Sequence, residues 1–280
     1  MSAEDEQKPD PPPSRRGRAA GGLGLTTLLA AIEFLTPLQL RRGHELDPAA
    51  IGRCSAFFPT VGLLLGLVLE GLDRGLSHVL PPAAEDAILV AALVLLSGGL
   101  HLDGLADSAD GLFGGRTRER RLEIMRDSRI GSFGALALGL VLLLQWSALL
   151  GLASPWRTPA LLLFPALGRC VMPVVICALP YARPEGLGVL FRRYIWPWPV
   201  PVAVASSLVL AVLLFGAGGV ILVGAAVLFA LLLGMAMAAR LGGLTGDTYG
   251  ALCELTQILV LLLILSGQRT GWVHPWLVSG

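Results

Sequence analysis

Long apolar runs constrain the fold of this chain more than any other feature of its sequence. Several runs approach or reach the roughly 20 consecutive apolar residues that an α-helix needs to cross a lipid bilayer. They do not alternate polar and apolar residues, as the strands of a transmembrane barrel would. Only 15% of the 280 residues are charged, whereas a soluble domain carries about a quarter. We therefore predict an all-α, polytopic integral membrane helical bundle.

Seven runs are predicted to span the membrane, and there are eight spans if the segment at 23–40 also crosses. The seven lie at residues 55–72, 87–102, 131–151, 159–179, 200–216, 219–239 and 251–266. Residues 1–22 are rich in proline and charge and poor in large apolar side chains. Such a segment cannot bury enough surface to become ordered. We predict a disordered tail at 1–22 and a membrane-embedded domain at 23–280.

The distribution of arginines predicts which side of the membrane each connection faces, because cytoplasmic loops are enriched in Lys and Arg. Connections 41–54, 103–130 and 180–199 contain three, six and three arginines, and the connections between them contain one each. Span parity then places 240–250 on the same, cytoplasmic side as 103–130. The protein is predicted to be a multi-pass protein of the cell inner membrane. Its net charge of +1 gives no indication of a nucleic-acid partner.

The chemically most distinctive stretch is GGLHLDGLADSADGLFGGRTRERRLEIMRDSRIGSFG, at 98–134. Asp103, Asp107 and Asp110 lie within eight residues, and six arginines follow. On a helix these carboxylates fall within an arc of about 60°, where they repel one another unless a cation lies between them. Mg²⁺ typically takes one or two carboxylates plus phosphate oxygens, and guanidinium groups match phosphate geometry. We predict a Mg²⁺–phosphate site at a membrane face. The alternative is a solvated acidic loop followed by a basic stop-transfer run.

A second acidic signal is GGLTGDTYGALCELTQ, at 242–257. Asp247 and Glu254 are seven residues apart, so on a helix they share a face. A helix N-cap at Asp247 or Thr245 and a buried, paired Glu254 would explain each residue separately. Both acidic clusters, however, are predicted at cytoplasmic ends of spans. This placement resembles a metal-assisted phosphoryl-transfer site more than a transport path, whose ionisable groups usually lie near the bilayer midplane. We predict that the two clusters meet in one site.

Two further ionisable residues are candidates for function. Glu33 lies inside the apolar segment 23–40, and a carboxylate within a membrane segment marks a functional site by default. Local pairing in a short interfacial or re-entrant helix explains Glu33 equally well. His101 directly precedes the aspartates and is a candidate general base. A hydrogen-bonded interface residue at a span end is the alternative for His101.

The motifs HLDGLADSADGLFGG, IMRDSRIGSFG and GGLTGDTYGALCELTQ resemble, in order and spacing, the signatures of the cobalamin synthase family, the adenosylcobinamide-GDP ribazoletransferases. FFPTVGLLLG is similar to that family as well, and the resemblance covers about residues 23–268. AIEFLTPLQL, which contains Glu33, matches only loosely. The resemblance implies a membrane enzyme that joins adenosylcobinamide-GDP to α-ribazole, or its 5′-phosphate. The enzyme releases GMP and uses Mg²⁺.

The resemblance and the site chemistry together assign a role to each candidate residue. The expected metal ligands are carboxylates, with the last two serving a second metal or acting as base: Asp103, Asp107, Asp110, Asp247 and Glu254. The expected substrate-binding residues are the phosphate clamps Arg126 and Arg129, their neighbours Asp127 and Ser128, and Glu33. His101 completes the catalytic set. The sequence leaves the oligomeric state open, a homo-oligomer included.

Two other classes of membrane protein fit the sequence less well. A CDP-alcohol phosphatidyltransferase also has aspartates at helix ends, but its pattern requires Asp-Gly, two residues, and then Ala-Arg. Here Asp103-Gly104 is followed by Leu105, Ala106 and Asp107. A cation-coupled transporter would need acidic residues along a transmembrane path and inverted repeats of hydropathy, and we find no such repeats in this sequence.

Overall fold

The computed structural model describes residues 24–40, 48–185, 187–195 and 198–276, and it contains helices and no β-strand within these ranges. The predicted all-α polytopic bundle is confirmed, while the predicted tail at 1–22 lies outside the described residues. The helices are α1 (Leu25–Leu35), α2 (Pro48–Cys54), α3 (Phe58–Leu76), α4 (Pro82–Leu96), α5 (Leu100–Gly114), α6 (Arg118–Ile124), α7 (Ser132–Leu150), α8 (Arg157–Ala178), α9 (Leu187–Tyr194), α10 (Pro199–Phe215), α11 (Ala217–Leu241) and α12 (Gly246–Thr270).

Five helical stretches in the described part of the chain are long and apolar enough to cross a membrane: Ala50–Leu76, which includes α3, and helices α7, α8, α11 and α12. Helices α4 and α5 are long and apolar enough only when taken together, and they are bent by 89° relative to each other, as in a broken span or a re-entrant loop. Helices α1 and α10 are shorter apolar helices. Every predicted apolar run therefore contains helix. The run predicted at 87–102 is divided by the bend.

Two glycines form the bend between α4 and α5. Gly98 and Gly99 have φ angles of +62° and +70°, in the left-handed region that glycine adopts without steric cost. The helix that follows carries all three aspartates of the first acidic cluster. The sequence analysis predicted a connecting loop at 103–130, and this prediction is wrong in part. The first part of this stretch is helix α5, and its middle contains helix α6.

Helix α3 packs against α8 through its glycines. A Cβ atom added at Gly62 would lie 2.4 Å from the carbonyl oxygen of Pro165, and one added at Gly66 would lie 2.5 Å from that of Leu161. The two backbones are thus in direct contact, as small residues allow for helices in lipid. Helix α8 is the central helix of the bundle, and most of its residues are buried.

The two ends of α8 define the two faces of the bundle. At its start, Arg157 donates hydrogen bonds to Asp73 of α3 and Asp86 of α4. These ion pairs involve two of the three acidic residues in the connection at 73–86. Beyond its end, Ala182 donates a backbone hydrogen bond of 2.7 Å to Leu244, just before α12. The 22 residues of α8 separate these contacts by about 33 Å. The start of α12 and the end of α3 therefore lie on opposite faces.

This topology predicts the side from which single cysteines react with an impermeant thiol reagent. Cysteines at Thr117 and Gly246 should react from one side of the membrane, and a cysteine at Val79, which is 74% exposed, from the other. Gly246 suits the test because a Cβ atom there meets nothing within 4 Å. The measurement compares inside-out with right-side-out vesicles in a protein without its four native cysteines. Reaction of Thr117 and Gly246 variants from opposite sides would contradict the topology.

Candidate active site

Helices α5 and α12 carry the two acidic clusters and touch through glycines. A Cβ atom added at Gly104 would lie 2.6 Å from the carbonyl oxygen of Asp247, and one added at Gly250 would lie 3.0 Å from the Cα of His101. Later residues of α5 thus meet earlier residues of α12, so the two helices run antiparallel. The contact brings together clusters that are about 140 residues apart in the sequence. It also places both clusters on one face of the bundle.

Three aspartates form the accessible part of the site. Asp103 is exposed, and Asp107 and Asp247 are half-buried. The charge of Asp107 interacts unfavourably with those of Asp103 and Asp247 and favourably with that of Arg183. Arg183 also donates a hydrogen bond of 2.8 Å from Nη2 to Oδ2 of Asp247. One guanidinium thus interacts with two of the three carboxylates, which leaves excess negative charge that a bound cation would neutralise.

The start of α12 holds Asp247 in place. Thr245 is the N-cap residue, and its side chain and that of Thr248 form a reciprocal capping box. The Thr245 hydroxyl also donates a hydrogen bond of 3.2 Å to Oδ2 of Asp247. Thr245 therefore takes the capping role that the sequence left open between Thr245 and Asp247. Asp247 lies in the first turn, where the helix dipole favours a negative charge.

Asp110 has a different environment from the other two aspartates of α5. It is buried, and its two carboxylate oxygens accept hydrogen bonds of 2.7 Å and 2.9 Å from the backbone amides of Gly131 and Gly134. These amides lie at the start of α7, where backbone donors lack helical partners. Asp110 therefore joins α5 to α7. This contact gives it a positioning role that the sequence analysis did not anticipate.

Several arginines that follow the first cluster stabilise helix ends. Arg118 donates from Nε to the carbonyl oxygen of Leu241 at 2.8 Å, and Arg121 donates from Nη1 to that of Arg240 at 3.1 Å. Both carbonyls lie at the end of α11, where such groups lack helical partners. These two arginines therefore hold α6 against α11. They are not free phosphate partners.

The predicted substrate-binding motif at 126–129 forms an exposed turn between α6 and α7. Arg129 makes a two-pronged ion pair with Asp127, at 2.6 Å and 3.0 Å. Hydrogen bonds from Arg129 lower the pKa of Asp127 to about 2. Ser128 is exposed between them. Arg126 is also exposed.

Glu33 follows the alternative that the sequence offered. It is half-buried near the end of α1, and its Oε1 accepts a hydrogen bond of 2.9 Å from the backbone amide of Leu40. Helix α1 has only 11 residues, about 16 Å of rise, which is too short to cross a bilayer. The contact with Leu40 is the local pairing expected for a short interfacial or re-entrant helix. The predicted role of Glu33 in substrate binding stays a prediction.

His101 and Glu254 lie deeper in the bundle than the three accessible aspartates. They are 1% and 4% exposed, and Nδ1 of His101 lies 3.7 Å from Oε1 of Glu254 and 3.6 Å from Sγ of Cys253. Glu254 is two helical turns from Asp247, or about 10 Å along α12. Among the described residues, His101, Cys253 and Glu254 are the one group of three potential ligands whose donor atoms all lie within 4.8 Å of one another. The accessible aspartates therefore do not form a closed cage around a single ion.

Sequence reasoning missed two arginines. Arg183, the ion-pair partner of Asp247, follows α8 in a connection with no recognised motif. Arg169 is fully buried within α8, and Nη1 donates to the Gln257 side chain at 2.9 Å. A signal for Arg169 was present, because a charged residue inside an apolar run marks a functional site by default. The same rule had been applied to Glu33.

Fold and site together define a polytopic membrane protein with a carboxylate site between two helices at one face. The sequence matches the cobalamin-5-phosphate synthase family over residues 27–265. The chain therefore belongs to the cobalamin-5-phosphate synthase family.

Individual relatives cover most of the chain and most of their own length. An adenosylcobinamide-GDP ribazoletransferase of Pseudomonas paraeruginosa is 43% identical over 86% of this chain and 98% of its own length. One of Roseiflexus sp. is 41% identical over 82% of this chain and 86% of its own. Neither the family match nor these relatives support a CDP-alcohol phosphatidyltransferase or a transporter. No solved structure matches this chain.

The glycine contact at the site predicts the effect of adding one methyl group. We expect Gly104→Ala to push α5 away from Asp247, because the new Cβ would lie 2.6 Å from a backbone oxygen. Overpacking of this kind costs about 1–3 kcal/mol, so the midpoint of thermal unfolding should fall by several degrees. Gly114→Ala, at the end of the same helix, is the matched control, because its nearest contact is an ordinary 3.7 Å. Equal midpoints for both variants would contradict the close approach.

Proposed function

We propose that this chain catalyses the reaction for which its relatives are named, the joining of adenosylcobinamide-GDP to α-ribazole or α-ribazole 5′-phosphate. A ribose hydroxyl of the ribazole attacks the phosphorus attached to the cobinamide arm, and the bond from that phosphorus to the leaving oxygen of GMP breaks. The attacking group is not the 5′-hydroxyl, because that position carries the phosphate in α-ribazole 5′-phosphate and in its product. Adenosylcobalamin, or its 5′-phosphate, and GMP are the products. The observation that carries this proposal is the meeting of the α5 and α12 aspartates in a chain of this family.

Asp103, Asp107 and Asp247 are the residues proposed to hold Mg²⁺. Their donors are carboxylate oxygens, their side chains are exposed or half-buried, and Arg183 faces the cluster with one positive charge. This donor set fits Mg²⁺, which usually keeps open positions for water and substrate phosphate instead of occupying an all-protein cage. Bound Mg²⁺ would neutralise charge on the diphosphate during transfer.

Asp110 and Glu254 were predicted as metal ligands as well, and their surroundings favour supporting roles. Asp110 already accepts two backbone hydrogen bonds at the start of α7. Glu254 is buried beside His101, deeper in the bundle than the accessible aspartates. The same burial separates His101 from the accessible site, so one of the three accessible aspartates is the better candidate to accept the proton of the ribazole hydroxyl.

Arg183 and Arg126 are the proposed partners of the diphosphate oxygens. Guanidinium groups bind phosphate through paired N–H donors. Arg183 is held beside the site by its ion pair with Asp247, and Arg126 is exposed. Arg129 would have to leave Asp127 before it could bind a phosphate, so we rank it below these two.

We further propose that the acidic face lies on the cytoplasmic side of the cell inner membrane. The connection from α5 to α7 carries six arginines and leaves the bundle at this face. Arginine-rich connections favour the cytoplasmic side. Adenosylcobinamide-GDP carries a charged diphosphate, and a cytoplasmic site would meet it without requiring its transport.

The reaction can be tested with purified protein in lipid, supplied with adenosylcobinamide-GDP, α-ribazole and Mg²⁺. We expect GMP and adenosylcobalamin to form in equal amounts, and EDTA to abolish the reaction until Mg²⁺ is restored. Asp107→Asn and Asp247→Asn should each lower turnover at least about a hundredfold, because the amide keeps the shape and loses the charge that a cation needs.

Glu123→Gln is the matched control for these variants. Glu123 is an exposed carboxylate of α6, paired with Arg120 at the surface, and its replacement should leave turnover within about twofold, as surface pairs contribute little. Wild-type turnover in a well-folded Asp107→Asn protein would contradict the proposal that Asp107 is a Mg²⁺ ligand. Full activity in EDTA would contradict the proposal that the reaction requires Mg²⁺.

A further inference from the structure

A fully buried arginine lies in the middle of the central helix. Arg169 is the thirteenth of the 22 residues of α8, and none of its surface is exposed. Its Nη1 donates hydrogen bonds to Gln257 at 2.9 Å and to the carbonyl oxygen of Pro165 at 3.4 Å, while Nε and Nη2 have no hydrogen-bond partner among the residues that the structure describes. A buried guanidinium is costly unless an opposite charge compensates it.

The compensating charge comes from α12. Glu254 is 4% exposed, and its charge interacts favourably with that of Arg169. Gln257 links the two helices, because its side chain accepts a hydrogen bond from Arg169 and donates one from Nε2 to Sγ of Cys253, the neighbour of Glu254, at 3.8 Å. On its other side, Glu254 contacts Nδ1 of His101, at 3.7 Å. The four residues Arg169, Gln257, Glu254 and His101, here termed the buried network, connect α8, α12 and α5.

The buried network lies directly beneath the proposed active site. His101 precedes Asp103 by two residues on α5, and Glu254 follows Asp247 by two turns on α12. The contact between His101 and Glu254 therefore fixes the same pair of helices whose upper turns carry the site aspartates. Without Arg169, an uncompensated carboxylate would remain in the bundle interior, at the interface that sets the spacing of α5 and α12.

The donors of this cluster are also of the types that bind a transition metal, since a His nitrogen, a Cys sulfur and a Glu oxygen lie within 4.8 Å of one another. The charge balance argues against a metal. Glu254 is already compensated by Arg169, so a dication would add excess positive charge in a fully buried place. The arginine, and not an ion, is the partner that this cluster is built around.

We propose that Arg169 is a positioning residue for the acidic site. Arg169 holds α12 through its hydrogen bond to Gln257 and offsets the charge of Glu254, one turn away. Through Glu254 and His101, which are 3.7 Å apart, it sets the distance between the aspartates of α5 and α12. This inference rests on the proposed function, because its consequence is read in the Mg²⁺ dependence of the transferase reaction. Arg169 acts through Glu254 and touches no substrate.

Three variants of the buried network test this role in the transferase assay. Arg169→Gln should lower kcat at least tenfold and raise the Mg²⁺ concentration for half-maximal activity at least fivefold. Arg169→Lys keeps the charge and should retain at least tenfold more activity than Arg169→Gln. In Arg169→Gln/Glu254→Gln both charges are gone, so at least tenfold of the lost activity should return. Arg269→Gln, an exposed arginine at the end of α12, is the matched control and should behave as wild type.

Each alternative outcome has a distinct meaning. A lower unfolding midpoint for Arg169→Gln with wild-type kcat and Mg²⁺ dependence would overturn the positioning role. No recovery in the double variant would overturn the role of Glu254 as intermediary and indicate direct substrate binding by Arg169. One equivalent of zinc in the purified protein, lost in Cys253→Ala, would overturn the charge argument. If wild-type protein forms no product, the proposed function itself fails, whatever these variants do.

Discussion

The backbone contact between α5 and α12 is the constraint on which the site depends. Gly104 lies against the backbone of Asp247, and no residue with a side chain fits there without movement. This contact brings negatively charged side chains from two helices into one place, where they repel one another. The repulsion is offset in part by Arg183. The remaining negative charge supports the proposal that the site binds a cation and the anionic group that the cation carries.

The rest of the bundle supports this contact by giving its buried charged side chains polar partners on neighbouring helices. At the opposite face, Arg157 joins α3, α4 and α8 through Asp73 and Asp86. In the middle, Arg169 of the central helix donates a hydrogen bond to Gln257 of α12. Asp110 joins α5 to α7 through backbone amides. In a bilayer such polar groups are costly without partners, so each pair also specifies which helices pack together.

The sequence predicted the parts of this arrangement that follow from hydropathy and parity. Apolar runs of nearly 20 residues predict spanning helices, and an odd or even number of spans between two motifs decides whether they share a face. The bend at Gly98 and Gly99 was not predictable in this way, because it lies inside an apolar run. The partners of Asp110 and Glu254 could not be predicted from the sequence either. An isolated carboxylate in a sequence does not indicate whether a backbone amide, an arginine or a metal will face it.

The central claim is that aspartates of both α5 and α12 bind divalent cations that share one diphosphate. The most direct measurement is a crystal structure of the protein with Mn²⁺ and GDP, in which anomalous scattering locates the ions. The account predicts Mn²⁺ bound to carboxylate oxygens of Asp103 or Asp107 and of Asp247, with the GDP phosphates as further ligands. Ions bound by one helix alone, or bound at His101, Cys253 and Glu254, would contradict it.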